Sequence, residues 1–296
     1  MSKLNTTDTP SSQSDLGRHQ KVPRTNGRKG SLQSRRTSLE DVSSNNWAYW
    51  SLSVGTLLVV FFGWLIATSV TSLSYLPSPG SIVRAVIEMI HSGYGGVSIW
   101  FEIWASVKRV LIGFLVGSTG GVILGLWAGY KRSVYAIVAP ILGFLRPIPP
   151  IAFIPLSVLL FGIGNTGKIV LVAYVAFNYV LVNAIAGAAG IPNIYLRAGT
   201  SLGLKPRQIF IRIIIPNALP QIFTGLKIAL ALSWAVLVAA ELIGAQTGLG
   251  YLIGNASLIL NVPAEYVGII LIGVIGVVMN LALSLMEGRM VHWQGK

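Results

Sequence analysis

Cysteine is absent from this sequence, and histidine occurs three times, at His19, His91 and His292. The first absence excludes disulfides, thiolate metal sites and cysteine nucleophiles together, and the scattered histidines form no metal cluster. Acidic side chains are also scarce: nine Asp and Glu stand against 22 Lys and Arg, and charged residues of both signs make up only 10% of the chain. A soluble domain carries about 25% charged residues. No nucleophile with a base, no acid–base pair and no metal set emerges, so the chain is not read as an enzyme and requires no cofactor of its own. What fills the space is apolar, with 53% hydrophobic residues and a mean hydropathy of +0.70. The expectation is an all-α, polytopic membrane protein.

Residues 1–46 differ from the rest. They hold eight Lys/Arg, four Asp/Glu and many Ser, Thr, Asn and Gln, with no apolar periodicity. Such a segment cannot bury enough surface to offset its ordering entropy and is predicted to be a disordered basic tail. Its Arg35-Arg36 pair loosely matches a twin-arginine export signal, but the following Glu40 and Asp41 and the missing cleavage site argue against one. Residues 47–296 then form the membrane domain. Its first span runs from about Trp50 to Val70 behind Trp47 and Tyr49, aromatic rings suited to the headgroup level. An amphipathic helix follows the turn at Pro77–Gly80, with Ile82, Val83, Val86, Ile87 and Ile90 on one face.

The second span, about Val107 to Tyr130, carries Gly113, Gly117, Gly121, Gly125 and Gly129. Steps of four place them on one face, where another helix backbone can approach closely. Lys108 and Arg109 at its outer end read as side chains snorkelling to the headgroups, ahead of the alternative that they contact a permeating anion. The third hydrophobic region, Val134–Phe161, contains Pro140, Pro147, Pro149, Pro150 and Pro155. Proline removes backbone donors, and the freed carbonyls need protein or a watery cavity, so this span is predicted to be broken and to line a path. Arg146, beside the break, either faces that path or marks the boundary of the span. Asn178 and Asn183, in a fourth span at Ile169–Ala189, bond across helices or face the same path. A fifth span at Leu219–Ala245 holds Lys227 and Glu241; Glu241 is assigned to the path, supporting a gate. A sixth runs from Tyr266 to Leu285.

Between Phe161 and Ile169 the sequence contains both GxGxxG and GxxxxGK. Either would need a preceding strand and a soluble βαβ unit, and the phosphate loop would need Ser or Thr where Ile169 stands. A tight turn between helices is the reading retained.

Basic residues set the orientation. With the tail inside the cell, Lys131, Arg132, Arg197, Lys205, Arg207, Arg212, Arg289 and Lys296 are cytoplasmic, leaving Arg84, Lys108, Arg109 and Lys168 outside. The net charge of +13 is then inside-positive bias and not a nucleic-acid surface. Residues 190–216 form a basic cytoplasmic loop in which Pro192 opens one short helix, Gly203 breaks it, Pro206 opens another and Pro216 stops it.

This loop resembles the EAA loop of ATP-binding-cassette import permeases. Arg197, Ala198, Gly199, Gly203, Ile213, Ile215 and Pro216 stand at the motif's positions, although Arg replaces Glu, Gly replaces the second Ala and Ile replaces Leu. The LPSP at 76–79, LRPIPP at 145–150, FGIG at 161–164, AAE at 239–241 and GLGYLI at 248–253 are similar to the nitrate, sulfonate, taurine and bicarbonate branch. The resemblance covers about residues 75–290. It implies a type I importer permease with six transmembrane helices, working in a bacterial inner membrane as a homodimer. It further implies separate ATP-binding ATPase subunits docked at Arg197, Ala198, Gly199, Gly203, Lys205, Arg207, Ile213 and Pro216, and an extracytoplasmic substrate-binding protein. Aliphatic sulfonate or taurine is the expected solute, with nitrate or bicarbonate as alternatives. A secondary transporter, the rival from another class, would need inverted repeats and intramembrane ion sites. No repeat is found, and the intramembrane acids reduce to Glu241.

Overall fold

The structure, a computed structural model, describes residues 46–70 and 76–293. The tail before Asn46, with its paired arginines, lies outside the described residues. The chain divides into two units, 1–66 and 67–296, described separately. Helix α1 (Asn46–Val70) belongs mainly to the first and carries no charge. Large apolar side chains are exposed all round it, including Leu57, Val59, Phe62 and Ile66. A helix apolar on every side is stable in hydrocarbon and not in water.

The second unit is built from α2 (Pro79–Ser92), α3 (Ile99–Tyr130), α4 (Arg132–Leu145), α5 (Ile154–Phe161), α6 (Asn165–Ala189), α7 (Asn193–Ser201), α8 (Pro206–Ile209), α9 (Ile215–Gly244), α10 (Leu249–Leu258) and α11 (Val262–Met290). No strand occurs among the described residues. Starts are set locally: Ser78 caps α2 by accepting from the Ser81 amide, and Asn261 caps α11 by accepting from the Ala264 amide.

The core is the seam between α3 and α6. A Cβ placed on Gly113 would come within 2.6 Å of the Ile169 carbonyl, and one on Gly121 within 2.8 Å of the Phe177 carbonyl. Gly117 abuts the Ala173 carbonyl, while Gly125 and Gly129 face the methyls of Ala184 and Ala188. All five glycines therefore meet α6, and the contact residues rise in step along both helices, so α3 and α6 run parallel. The contacts of α9 run the other way, Gly187 with Ala218 and Gly225 with Asn183, so α9 is antiparallel to α6. Val110, Val172, Val180 and Leu237 close the core between these three helices.

Two parallel neighbours require the intervening chain to return to the starting side of the bundle. α4 and the pair formed by a short 3-10 turn (Pro150–Phe153) and α5 do so across a bend of 84°. Five single helices and this bent pair meet the length and hydropathy of a membrane crossing, which gives up to six spans among the described residues. The break at the proline run is the one expected from its missing donors.

Three details differ from the sequence reading. The second span begins at Ile99 and not near Val107. Residues 246–265 are not a plain loop, because α10 is folded within them and packs against α9 and α11. Pro216 does not stop a helix: α8, a π turn (Phe210–Ile214) and α9 form one continuous helical path over Pro206–Gly244. The ring of Pro216 would strike the carbonyl four residues earlier in a regular α-helix, and a wider π turn at that point relieves the clash. The Asn217 side chain donates to the Ile213 carbonyl at 2.7 Å, satisfying an acceptor beside the irregular turn.

Candidate functional site

The break in the third span makes a cavity of about 320 Å³. Leu145, Arg146, Ile148 and Pro150 line it from the bend, Tyr174, Asn178, Tyr179, Val182 and Asn183 from α6, and Ile228 from α9. Asn178 is near the middle of α6, so the cavity lies near the centre of the membrane-crossing bundle. Its wall is mostly apolar, with one exposed guanidinium, Arg146, set among two amides and two phenols. The Asn178 amide donates to the Tyr174 carbonyl at 2.9 Å. The Asn183 amide donates to the Tyr179 carbonyl at 2.8 Å while its carbonyl accepts from Gln221 at 3.0 Å, tying α6 to α9. These bonds fix the side chains that face the cavity. A single cation with neutral donors in an apolar surround can hold a small anion.

The residues assigned to the path divide here. Arg146, Pro150 and Asn178 line the cavity; Pro147 and Pro149 are exposed in the turn that creates it. Glu241 is elsewhere. It is buried at the far end of α9, where it pairs with Arg109 at 2.5 Å. Ser106 donates to both its oxygens at 3.0 and 2.8 Å, and the Gly250 amide donates at 3.0 Å. Arg109 is completed by Asn165 (2.8 Å), the Thr247 carbonyl (2.7 Å) and the Thr247 hydroxyl (2.8 Å). The carboxylate of Glu102 accepts from the Gly248 amide, so two carboxylates sit on the first amides of α10. A helix N-terminus favours negative charge there. Lys168 finishes the cluster by donating to the carbonyls of Ile163 (2.5 Å), Gly164 (3.1 Å) and Gly244 (2.8 Å).

One reading is corrected by this cluster. Arg109 does not snorkel: it is buried, and its neighbour Lys108 is the exposed one. Away from the cluster, Lys227 of α9 pairs with Glu287 of α11 at 2.5 Å. The pairing of Arg109 with Glu241 had a visible signal, since both stand at the same end of their spans, but a sequence separation of 132 residues conceals it. The GxxxxGK segment forms the turn between α5 and α6, with Gly162 at φ +72° and Lys168 bonded to backbone carbonyls. It joins two helices and has no strand before it.

In the basic loop, α7 ends at Ser201, Gly203 adopts φ +74°, and Pro206 opens α8. Gly199 is packed against Ile213 of the same chain, where an added Cβ would meet the Ile213 Cδ1 at 2.7 Å. Gly203 has open space around it, and Arg197, Lys205 and Arg207 extend from the same hairpin of helices.

The chain matches, over residues 121–292, the family described as binding-protein-dependent transport system inner membrane component. It is 34% identical over 249 residues to the taurine transport system permease protein of Escherichia coli (strain K12), covering 83% of this chain and 90% of that protein. It is 36% identical over 248 residues to the putative aliphatic sulfonates transport permease protein of the same organism, covering 83% and 91%. Identity to the nitrate import permease protein of Synechocystis sp. is 30% over 251 residues, covering 83% and 90%. The fold resembles a chain of the MetNI methionine ABC transporter in an inward facing conformation, with a TM-score of 0.57 and 21% identity over 65% of this chain and 97% of that one. The chain therefore belongs to the binding-protein-dependent inner membrane permeases, and it is a multi-pass, non-enzymatic permease component of an ABC importer.

Proposed function

We propose that this permease imports a small oxyanion, an aliphatic sulfonate or taurine, through a path that includes the cavity at the bend. The observation that carries the reading is Arg146, exposed in a mid-membrane cavity beside Asn178 and Asn183. An anion entering that space loses water and gains one guanidinium and several neutral donors, enough for weak binding without trapping. The identities to taurine and sulfonate permeases support the solute class. In this reading the tail and residues 190–216 are cytoplasmic, a second copy completes the path, and an extracytoplasmic binding protein delivers the solute. ATP is bound by separate subunits docked on the hairpin of α7 and α8, and this chain carries no cofactor.

Uptake of labelled taurine into proteoliposomes holding the permease, its ATPase and its binding protein tests the path. Arg146→Gln is expected to lower uptake by at least about ten-fold, the loss of a charge-assisted contact, while the assembled complex is still recovered. Unchanged uptake would remove the cavity from the path, and uptake of nitrate with none of taurine or sulfonate would replace the solute.

The docking surface has its own test. At Gly203 an added Cβ meets no atom within 4 Å, and Asp is among the residues that visit positive φ, so Gly203→Asp should fold at a modest backbone cost. It places a carboxylate on the surface of the basic hairpin. Co-purified ATPase is expected to fall at least about ten-fold for the variant; full recovery would place the docking surface elsewhere.

A further inference from the structure

A second cavity, of about 310 Å³, opens where α3, the N-terminus of α6 and the α9–α10 connection meet. Trp104, Lys108, Arg109, Asn165, Ile169 and Thr247 contribute to its wall. It shares no residue with the cavity at Arg146, and the importer reading makes no use of it. Its charge can be counted. Arg109 is offset by Glu241 at 2.5 Å, and Lys168 and Glu102 are buried in the same cluster. Three cations against two carboxylates leave one positive charge. Lys108, exposed and without an ion pair among the described residues, is the group free to deliver it. The N-terminus of α6 opens beside it, and the residue before it, Gly164, gives no side-chain cap.

The direction of this cavity follows from the face of α3 that bears Lys108. At helical spacing, Phe101, Trp104, Leu111 and Leu115 share that face and are all exposed. A stripe of large apolar side chains interrupted by one lysine belongs against lipid. Its depth follows from two exposed tryptophans. Trp104 and Trp127 are 23 residues apart, which at about 1.5 Å per residue is about 34 Å, close to the thickness of the hydrocarbon core. Tryptophan favours both membrane interfaces. Lys108 is then one turn inside the Trp104 interface, within reach of the headgroups.

We propose that this cavity holds the phosphate of an anionic phospholipid, from the leaflet at the α3 N-terminal end. Lys108 supplies the free charge, Asn165 and Thr247 the neutral polar wall, and the acyl chains lie along Leu111 and Leu115. A lipid thereby bridges α3 to the start of α6 at the cluster that joins those helices to α9. Free inorganic phosphate offers the same headgroup chemistry, but the apolar stripe beneath the cavity has a use only for a lipid.

Native mass spectrometry of the detergent-purified permease, titrated with phosphatidylglycerol or with phosphatidylcholine of the same acyl chains, tests this. Phosphatidylglycerol occupancy is expected to be about five-fold lower in Lys108→Gln than in the wild type, the worth of one lysine at a membrane surface. Phosphatidylcholine occupancy should be the same in both. Arg84→Gln, which removes a cation from α2, should leave the phosphatidylglycerol preference intact. Equal phosphatidylglycerol binding by wild type and Lys108→Gln would overturn the proposal. So would loss of the bound lipid on adding millimolar inorganic phosphate, which would identify a site for a free anion.

Discussion

Alanine at Glu241 is expected to leave a permease that melts far below the wild type in detergent or is not recovered folded at all. The carboxylate has three partners, the Arg109 guanidinium, the Ser106 hydroxyl, which lies within reach of both oxygens, and the Gly250 amide, and almost no access to solvent. Removing it strands a buried arginine, and breaking a buried pair from one side costs about 3–5 kcal/mol. That is a large share of the roughly 5–15 kcal/mol that holds a folded domain. Gly248 adds to the sensitivity. Its φ is +117°, and an added Cβ would lie 2.5 Å from the Glu241 Oε1 and 2.6 Å from Arg109, so the turn is packed directly on the pair. Glu241→Gln should be milder than alanine, because its carbonyl can still accept from Ser106 and Gly250 and its side chain fills the site, while its NH2 cannot accept from Arg109. The double variant Arg109→Met/Glu241→Leu should recover part of the loss, since two uncharged side chains strand no ion. Thermal unfolding followed by size-exclusion chromatography reads all three. A wild-type profile for Glu241→Ala would mean the cluster contributes nothing to stability.

The same cluster marks how far the sequence could be read. That α3 carries a packing stripe was legible in the spacing of its glycines, because small residues every four positions have one geometric meaning. That the third span breaks was legible in its prolines, because a missing donor acts locally. Arg109 was misplaced because the signals near it were ambiguous. A cation at the end of a span reads as snorkelling whenever its partner is distant in sequence, and no local rule reaches from residue 109 to residue 241. Pro216 failed for the opposite reason. A regular α-helix excludes a proline ring, but the π turn before Pro216 widens the helix enough to admit it. Helix α10 was missed because ten apolar and small residues, Leu249 to Leu258, are too short to span and too uniform for a periodicity to show.

The continuity past Pro216 matters for the proposed transport cycle. A helix that begins in the basic hairpin at Pro206 runs without a stop to Gly244, and Glu241 is three residues from its end. On the way it passes Ile228 in the cavity wall and Lys227, paired with Glu287 of α11. A displacement imposed on α8 would therefore travel along one helical rod to the cavity and then to the buried pair. The rod is 39 residues long, roughly 58 Å at the α-helical rise. The hairpin, the cavity wall and the cluster are therefore joined by one helical path, whose regular bonding is interrupted by the π turn at Phe210–Ile214.

The seam between α3 and α6 should tolerate no side chain at its centre. Valine at Gly117 is expected to lower the melting temperature sharply. Its Cβ would fall on the Ala173 carbonyl and lie 2.9 Å from both the carbonyl carbon and the Cα of that residue. These are backbone atoms of a buried helix and cannot rotate aside as a flexible side chain would, so the helices must separate. Separation would open the contacts above and below as well, where Gly113 meets Val172 and Gly121 meets Phe177 and Leu181. Overpacking by a methylene or two costs about 1–3 kcal/mol, and a branched side chain against backbone should reach the top of that range. Gly143 provides the comparison, since it is also helical but an added Cβ there would meet nothing within 4 Å. Alanine there should be neutral or stabilising by up to about 1 kcal/mol, the helical preference of alanine over glycine. If Gly117→Val and Gly143→Ala melt alike, close approach at the seam is not what the glycines provide. If only the former collapses, the four-residue spacing of α3 is a packing code, and its target is the backbone of α6.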